Sequence, residues 1–183
     1  MTTRIQSGTY QIDATHSSVE FAVKHLMIST VRGRFSDVKG TLMLPESGDA
    51  TVDITIGAQS ISTGVDARDT HLRSADFFDV EKFPELRFVS THATRHGDGW
   101  GLEGNLTMHG VTNPVTLAVT EEGAGVDPWG NQKVAFSATG KLNRTHFGLT
   151  YNAALETGGV LVGEEIKLSI DAQLVKQAAK AAA

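Results

Sequence analysis

The chain is predicted to be all-β: an eight-stranded antiparallel barrel with a short helix in the connection around residues 64–80. Three observations predict it. Apolar and polar residues alternate with period two over most of the 183 residues. Turn residues interrupt the alternation at short intervals. One long segment, TGVDARDTHLRSADFFDVEKFPELRF (Thr63–Phe88), does not alternate and gathers arginine, histidine and phenylalanine. In an all-β protein such a connection is where function tends to sit, so it is expected at the mouth of the barrel.

The first strand, near 9–25, places Val19, Phe21, Val23 and His25 on one face and Ser18, Glu20, Ala22 and Lys24 on the other, with a bend at Ala14–His16. A second strand is read near 31–44 and ends at the turn Pro45-Glu46-Ser47-Gly48-Asp49. The third, near 50–61, sets Val52, Ile54, Ile56 and Ala58 against Thr51, Asp53, Thr55 and Gln59. Helical character is confined to Val65–Phe78, where Val65, Arg68, Leu72 and Ala75 recur by threes and fours. Strands near 85–96 and 100–110 flank the hairpin turn Gly97-Asp98-Gly99, where glycine takes positive φ cheaply. Thr112-Asn113-Pro114 reads as another reversal, with Pro114 at a strand start. Strands near 113–121, 132–143 and 163–175 complete the set. The last is the most regular: Ile166, Leu168, Ile170, Ala172 and Leu174 oppose Glu165, Lys167, Ser169, Asp171 and Gln173.

Short loops imply pairing in sequence order, and closure of eight strands removes exposed edges. A barrel of that size either fills its interior or holds one small ligand. The low aromatic content, 7%, is too small for two membrane girdles and favours an apolar interior. The inferred inward rows carry Gly40, Ala58, Ser60, Gly104, Ala138 and Gly140. These small residues read equally as room for an elongated lumen or as relief of crowding at barrel bends. The chain reads as a single domain over 1–183, with a core of about 8–175 and an Ala-rich tail, 176–183, frayed or disordered.

Net charge is −5 and pI about 5.8, which argues against a nucleic-acid partner and against attraction to anionic lipid. There are no cysteines, so disulfides and thiolate metal sites are excluded. The N-terminus has no apolar run of the signal-peptide kind, which predicts a cytoplasmic protein. No HExxH, GxSxG, P-loop or GxGxxG context occurs, and His92 and His96 would stand about 13 Å apart along a strand, so no metal and no cofactor are expected.

Several residues are candidates for a ligand's polar head at the mouth. His25 ends an apolar row and either is satisfied by backbone or fixes a head group. Arg68, His71 and Arg73, with Asp69 and Asp76, form either an intramolecular network or an oxygen-binding cluster. Phe77, Phe78 and Phe83 plug the barrel end or touch the ligand. His109 is placed outward or at the rim, and Arg144 next to an acidic loop residue or a ligand oxygen. The lumen itself is assigned to Phe21, Val23, Phe35, Ile54, Ile56, Phe88, Leu106, Met108, Phe136, Leu168 and Ile170.

Four segments in this order, YQIDATHSSVEFAVKH, ARDTHLRSADFFDVEKFPELRF, GNLTMHGVTNPVTL and NRTHFGLTY, resemble the YceI-like family over about Gly8–Leu174. These are polyisoprenoid-binding proteins with a lipocalin-like barrel. The resemblance implies an extended eight-stranded barrel around a long isoprenoid or similar amphiphile, and no established catalytic residues. The expected function is binding of a polyisoprenoid, isoprenoid quinone or other long-chain lipid for transport or storage. Two alternatives stand behind it: an enzyme acting on such a substrate with His25, His71 or His109 as general base, and a haem or metal barrel suggested by histidine count alone. A homodimer through a barrel flank is compatible with the chain, although no residue marks an interface.

Overall fold

The computed structural model describes residues 5–156 and 158–178. Its strands are β1 (Gly8–Ile12), β2 (Ser18–His25), β3 (Ser29–Phe35), β4 (Val38–Leu44), β5 (Thr51–Gly57), β6 (Ile61–Ser62), β7 (Glu85–His96), β8 (Gly99–Met108), β9 (Val111–Val126), β10 (Gln132–Asn143) and β11 (Val162–Lys176). A single α-helix among the described residues, α1 (Asp66–Arg73), lies between β6 and β7. β1 and β2, β3 and β4, and β5 and β6 are interrupted halves of longer runs. The strands therefore make eight staves, each antiparallel to its neighbours in sequence. The last stave closes on the first, with Ile12 opposite Leu174 and Val23 opposite Ile166. This is the expected up-and-down barrel.

The interruptions have local causes. Asp13 accepts from Thr15 N at 3.1 Å and Thr15 Oγ1 at 2.6 Å, and so turns the chain through Ala14–His16. Ser17 Oγ then exchanges hydrogen bonds with Gln173 N and O at 3.1 and 3.2 Å, which repairs the ladder to β11. The breaks in the second and third staves face each other: Ser36 N donates to Ser60 Oγ and Gly57 N to Asp37 O. The period-two pattern foretold the break in the first stave and not those in the second and third.

Three readings change. The reversal after β8 falls at His109-Gly110, both at positive φ, and not at Thr112–Pro114. Pro114 sits inside β9 opposite Asn105. It is tolerated because β10 pairs with β9 only from Leu117 onward, so no ladder bond is asked of it. The helix is shorter than the pattern suggested. Acidic Asp66 and Asp69 lie in its first turn and His71 and Arg73 in its last, each sign favoured by the helix dipole. Ser74 leaves the helical conformation, and its hydroxyl donates to His71 O at 2.7 Å. At the C-terminus, Lys176 is the last strand residue rather than the start of a tail. The tail expectation for 179–183 lies outside the described residues.

Three of the small inward residues relieve crowding, Gly40 among them, where a side chain would meet Ile54 and the Asp53 carbonyl. A side chain at Gly104 would run into the Phe88 ring, and one at Gly140 into Leu117. Gly33 does the same beneath Phe21. These are cross-strand glycine–large residue pairs that let a big side chain lie flat on the sheet. Outward positions such as Lys39, Thr41, Arg87, Glu103, Asn105, Thr139 and Lys167 are polar and exposed. The tightest packing surrounds Ile61, Ala58 and Phe147, near the end that carries α1, with a second cluster of Tyr10, Leu42, Val134 and Leu174 towards the other.

Four carboxyls are held below the usual range. At Asp13 the Thr15 hydroxyl is the leading cause, opposed by burial and helped by His16 and Lys133. Bonds from Arg87 lower Asp53, and bonds from Asn131 lower Asp127. At Asp69 burial is the largest single influence and pushes upward, but bonds from the Thr63 hydroxyl and N–H, with Ser62 and the charge of Arg73, together outweigh it. A carboxyl depressed in the fold binds protons more weakly than in the unfolded chain. Its stabilisation is complete above the unfolded value, about 3.9, and is lost as pH falls through the folded value. Urea midpoints are therefore expected to hold level from pH 7 to 5 and to drop steeply below about pH 4. A midpoint unchanged at pH 3 would contradict this.

Candidate functional site

The staves enclose one elongated cavity of about 540 Å³. Alternation builds its wall. Along β8 the lining residues are Trp100, Leu102, Leu106 and Met108; along β11 they are the in-phase Ile166, Leu168, Ile170, Ala172 and Leu174, joined by Val162 and Asp171. Trp100 to Met108 corresponds to about 27 Å of strand, or roughly 20 Å of axis at the usual barrel tilt. The cavity is thus long and narrow. All eleven residues assigned to the lumen line it: Phe21, Val23, Phe35, Ile54, Ile56, Phe88, Leu106, Met108, Phe136, Leu168 and Ile170.

The two ends differ. At one, Gln6, Ser7, Pro45, Gly48 and Asp49 both line the cavity and are exposed, so this is the rim. At the other, Leu72 of α1, Phe77, Phe78, Leu149 and Arg144 close it, with Phe77, Leu149 and Arg144 buried. Phe78 meets Phe35 edge-on at 5.7 Å, and Phe77 packs on Tyr151 at 5.0 Å. The 63–88 connection is therefore a cap. The expectation that it borders the mouth is corrected: the rim is at the opposite end, formed by the N-terminal residues and the turn after β4.

The polar residues assigned to a head group are mostly committed elsewhere. Arg68 donates from Nε to Thr63 Oγ1 at 2.7 Å and from Nη2 to Thr63 O at 3.1 Å. Arg73 donates to Gln59 O and Ile61 O at 3.0 and 2.6 Å. Thr63 also donates to buried Asp69, from Oγ1 at 2.5 Å and N at 2.8 Å. The connection is pinned by main-chain carbonyls around a threonine node rather than by Arg–Asp pairs. His71 bonds Asp76 at 2.8 Å and stands edge-on to Phe77 and Tyr151. Half-buried His25 ends β2 opposite Ser29 and Val162. None of His25, Arg68, His71 and Arg73 lines the cavity, whereas Phe77 and Phe78 do. Phe83 instead packs on His109 at 4.7 Å, outside it.

Arg144 lines the capped end at 4% exposure. Its Nε donates to Gly163 O at 2.8 Å, Nη1 to Leu149 O at 2.6 Å and Tyr151 O at 2.9 Å, and Nη2 to Val162 O at 3.1 Å. Burial pushes the guanidinium below its usual range, opposed by the charge of Glu164. The expected acidic loop partner is replaced by four carbonyls, Val162 and Gly163 at the start of β11 and Leu149 and Tyr151 of the chain between β10 and β11. That segment also buries Phe147 and Leu149. It carries no periodic pattern, and for this reason its share of the cap escapes a reading by alternation. Leu102, Leu117 and Val119 also line the cavity, in phase with residues already assigned, and the same alternation marks them.

None of the seven histidines lines the cavity, His25, His71 and His109 included. Among the described residues no group of three or more His, Cys, Asp or Glu is placed to hold a metal ion. No helix among them is long and apolar enough to cross a membrane.

Comparison with known proteins agrees with this architecture. Protein YceI of Salmonella newport is 38% identical over 175 residues, covering 93% of this chain and 88% of that protein. The crystal structure of BcnA from Burkholderia cenocepacia superposes with a TM-score of 0.76 at 21% identity, over 88% of this chain and 98% of that one. A polyisoprenoid binding domain from Saccharophagus degradans, implicated in plant cell wall breakdown, shares the fold with a TM-score of 0.67 at 14% identity, over 94% and 100% of the two chains. The model of the YceI-like domain matches residues 10–174, from buried Tyr10 of the first stave to Leu174 of the last, and this protein belongs to the YceI-like family.

Proposed function

We propose that the barrel binds a single long-chain lipid, a polyisoprenoid or isoprenoid quinone, and carries or stores it. The observation that carries this reading is the lumen's shape and lining: long, narrow and apolar between a polar rim and an aromatic cap. A compact ligand would leave most of such a cavity empty, whereas a linear chain fills it. Each Å² of apolar surface removed from water contributes roughly 25 cal/mol before the costs of binding, so a long tail supplies affinity without charged contacts. The tail enters first towards Phe77 and Phe78. The polar end stays at the rim near Gln6, Ser7 and Asp49, because the Arg144 donors are engaged by the main chain. The Saccharophagus degradans domain, alike in fold, is described by a ligand of this class. An enzymatic role with a histidine base has less support, since no histidine faces the cavity.

Mass spectrometry of an organic extract of the purified protein, followed by uptake of a labelled polyprenol and a labelled quinone, tests the reading. A near-stoichiometric lipid, or saturable uptake of one lipid per chain, is expected. An empty extract together with no uptake of either would overturn it.

A further inference from the structure

The β2–β3 turn sets three exposed large apolar residues in a row, whereas the other exposed ones, Met43, Val65, Val111, Val126 and Trp129, are not adjacent in sequence. Leu26, Met27 and Ile28 follow one another at its tip and are 36%, 55% and 81% exposed. Leu26 and Met27 take left-handed backbone at φ 52° and 61°. Hairpin tips normally give such positions to asparagine, aspartate or glycine. A strained, exposed run of three large apolar residues is therefore unexplained by folding.

Its surroundings are basic. Arg32 and Lys167 both stand opposite Ala22 in register and so share its outer face, and Lys24 lies on that face two residues closer to the tip. These three cations form no ion pair among the described residues. Of the nearby acids, Glu165 pairs with Lys141 at 3.2 Å, Glu164 accepts from Asn143 at 3.3 Å, and Glu20 is level with Arg34. Against a total charge of −5, the cations gather behind a run of three consecutive exposed apolar residues, which no other turn among the described residues carries.

We propose that this tip is a membrane-docking device: Leu26, Met27 and Ile28 enter the interface of an anionic bilayer, and Lys24, Arg32 and Lys167 meet its phosphates. Apolar side chains carried a short distance ahead of cations match the layering of the lipid interface, where apolar faces sink roughly 5–10 Å and cations stay at head-group level. Three side chains are too few for a stable protein interface, which needs about 800 Å² from each partner. The turn stands at the capped end, so docking here leaves the rim of the cavity unobstructed. The proposal does not rest on the lumen being occupied.

Co-sedimentation of the full chain with vesicles tests it. Vesicles of phosphatidylcholine and phosphatidylglycerol, 3:1, are expected to bind the protein, pure phosphatidylcholine far less, and 0.5 M salt to weaken binding by screening. Lys24→Gln or Arg32→Gln should each weaken binding roughly fivefold. Met27→Asp or Ile28→Asp should abolish it with an unchanged circular dichroism spectrum, since these side chains are exposed. Ala138→Trp, aimed at the lumen, should bind vesicles like the unaltered chain, which keeps this test separate from that of the cavity. Failure to bind either vesicle, or equal binding by Ile28→Asp, would overturn the proposal. So would a dimer in solution that Ile28→Asp dissociates without any vesicle binding, because the tip would then serve a second copy.

Discussion

Arg144→Met is expected to lower the stability of the barrel by about 3–5 kcal/mol, because several buried carbonyls lose a charged donor at once. Four carbonyls, those of Leu149, Tyr151, Val162 and Gly163, now receive the guanidinium's N–H groups. Methionine matches its length and apolar stem but donates nothing. The carbonyls of Leu149, Tyr151 and Gly163 would then lose these donors, at about 1–3 kcal/mol for each left unpaired and partly recovered by water or rearrangement, whereas Val162 O keeps Asn152 Nδ2 at 2.8 Å. Because these bonds tie the capping segment, through Leu149 and Tyr151, to the start of β11 at Val162 and Gly163, the loss should loosen the cap before the rest of the barrel. Urea unfolding of lipid-free protein measures the fall. Hydrogen exchange should show faster opening of 144–162 than of β7 and β8. Arg144→Lys should recover only part of the loss, since an ammonium cannot span four carbonyls in the plane of a guanidinium. A loss under about 1 kcal/mol would mean that the carbonyls find other donors easily.

Blocking the lumen should have the largest effect on ligand uptake. Ala138 lines the cavity on β10, between Val119 of β9 and Ile170 of β11, which both line it too. Tryptophan at this position has space to project only into the 540 Å³ cavity. Uptake of a long-chain lipid is expected to fall tenfold or more, the equivalent of about 1.4 kcal/mol or above. Overpacking costs about 1–3 kcal/mol in a filled core and should cost less beside an open cavity. Thr139→Trp is the matched control. It lies one residue away on the opposite, exposed face, so it should leave uptake and stability nearly unchanged. Equal uptake by the Ala138→Trp protein would place the lipid outside the lumen.

By itself, the sequence determined the eight staves, their order and which face of each is apolar. Side-chain period is a local property of an extended chain, so Ile166 to Leu174 could be assigned to the lumen without knowing their neighbours. The bend at Ala14–His16 was legible for a similar reason, because Asp13 caps a turn made by its own next residues. What the tertiary structure alone decided is which end of the barrel opens, and what the polar residues of the two long connections do. Arg68, Arg73 and Arg144 look alike in sequence to arginines that hold a ligand's oxygens. Their partners are main-chain carbonyls, and every residue has one, so composition cannot mark them. The paired breaks at Ser36-Asp37 and Ala58–Ser60 depend on bonds between staves, from Ser36 to Ser60 and from Gly57 to Asp37. So does the use of Gly104, which reads as open space along its own strand until Phe88 of the neighbouring stave is laid across it. The period of a strand is written within it; the use of a polar side chain or of a missing one is set by whatever the closed barrel brings alongside.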